Sequence, residues 1–125
     1  MKVQEFLELG DFGKTNYFVE SVFGWCDGSI LCANPNRKAW LNDEEIPKLV
    51  YADIFNINTP NGMMIIIEKM REQGFPFMLI LDSDNYLATF QKHNEPINVD
   101  FCAIKKSVPI AVAIAAGLAL GVLEE

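Results

Sequence analysis

The most constraining feature of this 125-residue sequence is segment 108–123, in which every residue is apolar or small. As a helix, these residues would span about 24 Å, which is short of the roughly 30 Å hydrocarbon core of a bilayer. Half of them are alanine, glycine or proline, which contribute little insertion energy. A membrane anchor is the alternative, but we predict a helix that is buried in the fold or in an interface. Ser107 could cap this helix, and Pro109 fits its first turn.

Two glycines in this segment, Gly117 and Gly121, are four residues apart. Small residues at this spacing share one helix face and allow close approach of another helix. We therefore predict that Gly117 and Gly121 are contacts of a homodimer.

Charge and cysteine content exclude several classes of function. The formal net charge of −7 and the pI near 4.6 disfavour nucleic-acid binding, because such a surface repels phosphate backbones. The three cysteines form no CxxC pair, and His93 is the only histidine, so neither a disulfide framework nor a metal site is predicted. Reduced thiols and the absence of a signal-peptide pattern at the N-terminus favour a cytoplasmic protein.

The second half of the chain carries three strand signals in succession. Apolar or alternating residues occupy 77–81, 86–91 and 97–103, with turn-forming clusters at 82–85 and 92–96. The last strand alternates apolar with polar residues, which is typical of a sheet with one solvated face. This pattern predicts a three-stranded antiparallel meander.

Upstream of the meander, the pattern predicts a short N-terminal helix and a β-hairpin formed by residues 18–25 and 29–33. The Asp27-Gly28 pair between these runs is typical of a type I′ turn. Short helical pieces are predicted at 35–41, 43–49 and 51–55. A longer helix follows, with Thr59 as its N-cap, Pro60 at its first position and Gly74 just past its end. Its apolar stripe consists of Met63, Met64, Ile66, Ile67 and Met70.

The order of these elements predicts an α+β fold. The hairpin and the meander would join into one five-stranded antiparallel sheet, with helices packed on one face. Residues 1–17 would be the N-terminal helix and its connection, 18–104 the core, and 105–125 the C-terminal helix.

This order resembles that of PAS domains over residues 18–104. The segment Asp27-Gly-Ser-Ile-Leu-Cys-Ala-Asn-Pro35 is similar to the PAS opening hairpin, and Gly74-Phe-Pro-Phe77 is similar to the entry to its third strand. The Asp43-Glu-Glu-Ile46 and Ala52-Asp-Ile-Phe55 segments resemble the short helical elements of the family. The apolar last helix, however, resembles the roadblock family of dimeric GTPase regulators, whereas Pro47 and Pro60 interrupt the long central helix of that family.

The residues predict no enzyme, no catalytic group and no metal site. If the resemblance to PAS domains holds, a flavin photosensor would need a cysteine in the short helices, and a haem sensor would commonly need a histidine in the long helix. Residues 35–74, which contain these predicted helices, include no cysteine and no histidine. The single histidine and the absence of nucleophile signatures argue against hydrolytic chemistry. We therefore assign no cofactor.

The remaining prediction is an apolar pocket between the concave sheet face and the helical middle, or a filled core in the same place. Its candidate lining is large and apolar: Trp25, Trp40, Tyr51, Phe55, Ile66, Met70, Leu79, Phe90 and Phe101.

The function that this fold and the resemblance imply is a PAS-like signalling module that binds a small molecule or a partner and transmits its state through the terminal helices. The partner could be an effector domain. The alternative is a roadblock-like homodimer that regulates a small GTPase.

Overall fold

The computed structural model describes residues 1–34, 36–82, 84–92, 99–105 and 107–125. The described elements are four α-helices and six strands, which are α1 Val3–Glu8, α2 Asp11–Phe18, β1 Cys26–Asp27, β2 Ala39–Leu41, β3 Leu49–Tyr51, α3 Pro60–Glu72, β4 Phe77–Asp82, β5 Asn85–Lys92, β6 Val99–Lys105 and α4 Val108–Leu120. The α+β class is therefore as predicted. The predicted turn at 92–96, which contains His93, lies mostly outside the described residues.

Helix α4 lies at the centre of the molecule. It packs on β5 and β6 on one side and on α3 on another, and the seven consecutive residues from Ala111 to Gly117 are buried. A helix that is apolar on all sides needs such a position, so the prediction of a buried helix is confirmed. Gly121 ends the helix with φ +75°, and Val122 N–H then donates to the Gly117 carbonyl at 3.0 Å. Among the described residues, no helix combines the length and the apolar character needed to cross a membrane.

The predicted meander is confirmed. Strands β4, β5 and β6 form one antiparallel sheet in that order, and their register places Phe77 beside Phe90 and Phe90 beside Phe101. Phe90, Ala88 and Ala103 are buried on the face that packs against α4. This side of the sheet closes the main core.

The prediction of a single five-stranded sheet is wrong. Strands β1, β2 and β3 form a separate three-stranded antiparallel sheet, and no strand pairing joins it to the meander among the described residues. The predicted ribbon around Asp27-Gly28 therefore does not extend the meander.

Residues 18–25, which were predicted to be a strand, are mostly helical. Helix α2 continues at Phe18 into a π-helical turn, Val19–Phe23, which ends at Gly24 with φ +71°. The aromatic and β-branched residues here favour a strand on propensity, but burial decides the conformation. Phe18, Val19 and Phe23 reach the core from the helical conformation, where at most 4% of each is exposed.

The Asp27-Gly28 pair does not form a type I′ turn. Gly28 has φ −111°, whereas that turn needs positive φ, and a 3₁₀ turn at Ser29–Leu31 follows. The Asp27 carboxylate instead accepts the Ser29 amide at 2.8 Å. The strand that pairs with β1 is β2, ten residues later than predicted.

The middle of the chain is also less helical than predicted. Residues 39–41 and 49–51 form the β2–β3 hairpin, whose connection is held by the Asn42 side chain. Its Oδ1 accepts the amides of Lys48 at 2.9 Å and Glu44 at 3.4 Å. A local side chain thus takes the hydrogen bonds that a short helix would have used.

Helix α3 begins and ends as predicted. The Thr59 hydroxyl accepts the Gly62 amide, Pro60 opens the helix, and Gly74 follows it with φ +87°. Ile66 and Met70 point into the core, whereas Met64 is exposed. The predicted stripe is therefore correct except at its edge.

The two ends of the chain pair with each other. Val3 N–H donates to the Glu124 carbonyl at 2.8 Å, and Glu124 N–H donates to the Met1 carbonyl at 3.0 Å. Helix α1 also contributes Phe6 to the core, where its ring lies 5.6 Å from that of Phe18. The termini, α1 and α2 therefore form one packed unit.

Candidate functional site

The nine residues predicted to line an apolar pocket divide into two groups. Trp25, Trp40, Tyr51 and Phe55 belong to the small-sheet side of the molecule, and three of them are in direct aromatic contact. The ring of Phe55 lies 5.4 Å from that of Trp25 and 6.2 Å from that of Trp40. These rings fill the space between β2, the π-helical turn and the segment after β3.

The other group belongs to the side of α3 and the meander. Ile66, Met70 and Phe90 are fully buried, and Phe101 packs edge-on against Phe75 at 6.2 Å. Leu79 lies on the edge strand, where 38% of it is exposed. The sequence left open an apolar pocket or a filled core at this place. The buried residues of this group are part of a filled core.

The two glycines predicted as dimer contacts have different environments. Gly117 is buried, and Leu123 of the same chain packs so closely that an added Cβ would lie 2.5 Å from its Cδ1. Gly121 is exposed at the end of α4. The small size of Gly117 therefore allows the close approach of Leu123 from the same chain.

A polar cleft of about 620 Å³ lies between α2 and the small sheet. Its lining is mixed in polarity and charge: Phe12, Asn16, Glu20, Asp27, Ser29, Asn36, Arg37, Lys38, Ala39 and Trp40. Trp40 is the only one of the nine predicted pocket residues in this lining. We refer to this cavity as the α2 cleft.

The aromatic part of the α2 cleft is a stacked pair. The rings of Phe12 and Trp40 are 5.7 Å apart and within 13° of parallel. The indole Nε1 of Trp40 donates to Asn16 Oδ1 at 2.9 Å, which fixes the ring against α2. Phe12 remains 42% exposed, so its outer side borders the cavity.

Two cations lie beside this pair. The Lys38 ammonium is 4.6 Å from the centre of the Phe12 ring, a distance typical of a cation–π contact. The Arg37 guanidinium stacks on Tyr51 at 3.5 Å and contacts Asp53 at 3.3 Å. Its buried Nε–H makes no hydrogen bond within the described part of the chain.

A neighbouring cavity of about 490 Å³ shares several of these residues. Phe12, Asn36, Arg37 and Lys38 border both spaces, and Asp53 borders the second one. The aromatic ring and the two cations therefore separate two adjoining hollows. Movement of the long Lys38 side chain would change the size of both.

Acidic groups complete the wall of the α2 cleft. The Ser29 backbone amide and hydroxyl, together with the more distant Lys38 charge, lower the pKa of Asp27 below its ordinary value of 3.8. Glu20 accepts from the Asn16 side chain at 3.2 Å. Carboxylates and cations thus share the cleft, which suits a ligand with both donors and an anionic group.

Within the described ranges, no group of three histidine, cysteine, aspartate or glutamate residues is arranged to hold a metal ion. Cys26 and Cys102 are exposed and Cys32 is half-buried, and all three are free thiols. The cleft lining contains no cysteine or histidine. Its chemistry is that of hydrogen bonding, charge pairing and aromatic contact.

Sequence reasoning missed most of the α2 cleft. Phe12 and Asn16 lie within the predicted N-terminal helix and its connection, and Arg37 and Lys38 lie in a predicted short helical piece, without a functional role. The available signal was the spacing of Phe12, Asn16 and Glu20, which are four residues apart and lie on one helix face. Their partner on β2, Trp40, is distant in sequence.

Comparison of the chain with family models, with curated proteins and with solved structures finds no match. The resemblances to PAS domains and to the roadblock family therefore stay predictions.

Proposed function

We propose that this protein is a non-enzymatic module that binds a small molecule in the α2 cleft. The ligand would carry an anionic group next to a flat apolar part. The observation that carries this proposal is the Lys38 ammonium 4.6 Å from the Phe12 ring, with the Arg37 guanidinium on the same border. An exposed aromatic face with two adjacent cations suits a ligand of this composition.

The flat part of the ligand would take the place that the Lys38 ammonium occupies over Phe12. A single cation–π contact at an exposed site contributes only about 0.5–1 kcal/mol, so its displacement costs little. The released ammonium would then pair with the anionic group, together with the Arg37 guanidinium. The cleft volume of about 620 Å³ is in the usual range for small-ligand sites.

The acidic side of the cleft would set selectivity. Asp27 and Glu20 border the same space, and the whole chain carries a net charge of −7. A polyanion would be repelled by these charges. A ligand with a single anionic group and hydroxyl or amino donors would use both signs of charge.

A sensory role, which the resemblance to PAS domains implies, would use helix α2. Phe12 and Asn16 on this helix border the cleft, whereas Tyr17 donates from its hydroxyl to the carbonyl of Val122 near the C-terminus. Phe18 packs on Phe6 of α1. A ligand that shifts α2 would therefore act on the paired chain ends. Regulation of a small GTPase stays a prediction without a supporting contact among the described residues.

Tryptophan fluorescence measures binding at this site directly, because Trp40 forms part of the wall. Titration of the purified protein with a panel of aromatic carboxylates, nucleoside monophosphates and amino acids identifies the ligand class, and native mass spectrometry detects any molecule retained on purification. Lys38→Ala and Phe12→Ala should each weaken binding of a hit by about tenfold or more. Lys48→Ala, which removes an exposed ammonium paired with Glu44, is the matched control and should leave the affinity unchanged.

Two results would contradict this proposal. One is a hit whose affinity is the same in wild type, Lys38→Ala and Phe12→Ala. The other is the absence of any fluorescence change across the whole panel. Hydrogen exchange tests the sensory step, since ligand should change protection of the Val3 and Glu124 amides, whose hydrogen bonds join the chain ends.

A further inference from the structure

Strand β4 has an unusually apolar exposed edge. It is an edge strand of the meander, and residues 77–81 are apolar without a charge, a proline or a break in register against β5. Natural edge strands are usually protected by such features. Its exposed apolar side chains include Met78, Leu79, Ile80 and Leu81. The largest exposed fraction is 72%, at Leu81.

The register of β4 determines which of its backbone groups are free for a further strand. Gln91 N–H donates to the Pro76 carbonyl at 3.1 Å, so Pro76 faces β5. Because backbone groups alternate along a strand, Met78 and Ile80 also face β5. Phe77, Leu79 and Leu81 therefore direct their N–H and C=O groups to the open edge.

We propose that a second copy of this chain pairs with this edge, β4 against β4 in antiparallel orientation, with the two-fold axis at Leu79. Leu79 would then lie opposite Leu79 of the partner subunit, and Phe77 opposite the partner's Leu81. All three outward-facing residues find hydrogen-bonding partners in this register, which is symmetric about the central one. The two meanders become one continuous six-stranded sheet.

Shape favours a second copy over an unrelated peptide. An apolar groove of about 520 Å³ lies beside Phe77 and is lined by Ile67, Arg71, Gly74, Pro76 and Phe77. The proposed register places the partner's Leu81 opposite Phe77, next to this groove. The exposed side chain and the groove that receives it belong to the same sequence, so the two-fold axis forms the contact twice.

Charge favours the same register. Two chains of net charge −7 repel each other, so a stable contact needs an uncharged centre or opposite charges at its rim. The edge from Phe77 to Leu81 is uncharged. Asp84 is exposed in the turn after β4, and the proposed register brings this turn near the residues that precede β4 of the partner subunit. These residues follow α3, whose last turn carries the basic side chains Lys69 and Arg71 and the acidic Glu72, so the side chains that this turn would approach have a net charge of +1 (2 − 1).

The test is the mass of the protein in solution, measured by size exclusion with light scattering over a range of concentrations. Wild type should have twice the 14.1 kDa mass of the chain. Leu81→Lys should weaken self-association by more than about a hundredfold, because both symmetric copies of the contact are lost. Ile54→Lys is the matched control, since Ile54 is 73% exposed in a loop after β3, and this variant should remain dimeric.

A second variant tests the backbone pairing independently. Leu79→Pro removes an N–H that faces the open edge and not β5, so the monomer should tolerate it, whereas the dimer loses its central hydrogen bonds. Circular dichroism should show a folded protein for each variant. A wild type that has the mass of one chain throughout would overturn the proposal. So would Leu81→Lys and Leu79→Pro proteins that associate as strongly as Ile54→Lys.

Discussion

The indole Nε1 of Trp40 donates a 2.9 Å hydrogen bond to Oδ1 of Asn16, which joins the small sheet to helix α2. Trp40 is only 3% exposed, so water cannot readily replace this acceptor. Asn16→Ala should therefore lower the free energy of unfolding by about 1–3 kcal/mol, because a buried donor loses its partner. Urea denaturation measures the change. Asn61→Ala, on the exposed first turn of α3, is the control, and an equal loss in both variants would contradict the prediction.

The side chain of Thr15 on helix α2 makes a similar hydrogen bond to the loop that contains Ile57. Its buried hydroxyl oxygen accepts the Ile57 backbone amide at 3.2 Å. Thr15→Val keeps the shape but removes the acceptor, so we expect a loss of about 1–3 kcal/mol in the free energy of unfolding. Thr15→Ser keeps the acceptor and should lose less. If the serine variant proves the less stable of the two, packing of the methyl group outweighs the hydrogen bond, and the prediction is wrong.

The second half of the fold was predictable because its signals are local. The Thr59 cap, Pro60 and Gly74 define α3 from adjacent residues, and each turn residue acts within a few positions of its own strand or helix. The burial of α4 follows from its composition alone, because no face of the segment could be solvated. These elements required no knowledge of distant contacts.

The first half was not predictable for the opposite reason. Residues 18–25 have strand propensity, and their helical conformation depends on the core that Phe18 and Phe23 enter. Strand β2 pairs with only two residues of β1, so no long alternating run marks it. The separation of the two sheets depends on contacts between elements that are distant in sequence.

The same limit applies to the α2 cleft. Trp40 was recognised as a large aromatic residue, but its stacking partner, Phe12, is 28 positions away (40 − 12) and lies on a helix that the pattern did not predict. The Arg37-Lys38 pair does not by itself indicate a binding site; the site is defined only when the aromatic ring of Phe12 lies beside it. Composition could suggest a pocket but could not locate it.

Two helical glycines should respond differently to alanine. A Cβ on Gly62 would lie 2.1 Å from the backbone oxygen of Asn56, which cannot move without shifting the loop. A Cβ on Gly117 would meet side-chain atoms of Leu123, from Cδ1 at 2.5 Å to Cβ at 3.1 Å, and a side chain can give way more easily than a backbone; the higher helix propensity of alanine offsets part of the clash. Gly62→Ala should therefore destabilise by about 2 kcal/mol or more, and Gly117→Ala by about 1 kcal/mol or less.

Thermal and urea unfolding of the two glycine variants provide the comparison. Each protein serves as the control for the other, because both carry the same chemical change inside a helix. A larger loss in Gly117→Ala than in Gly62→Ala would mean that the Leu123 contact is more rigid than the loop at Asn56.

The free energy of unfolding should depend on pH through the ionisation of Asp27. The Ser29 amide, the Ser29 hydroxyl and the Lys38 charge favour its ionised form and lower its pKa below 3.8 in the folded protein. A lowered folded-state pKa stabilises the fold above the ordinary value, and this contribution is lost as the pH falls through the folded-state pKa. The stability difference between wild type and Asp27→Asn should therefore be largest near neutral pH and shrink below 3.8. Urea unfolding of both proteins across this range measures it, with Glu45→Gln as an exposed control, and a difference that stays constant with pH would exclude this role for Asp27.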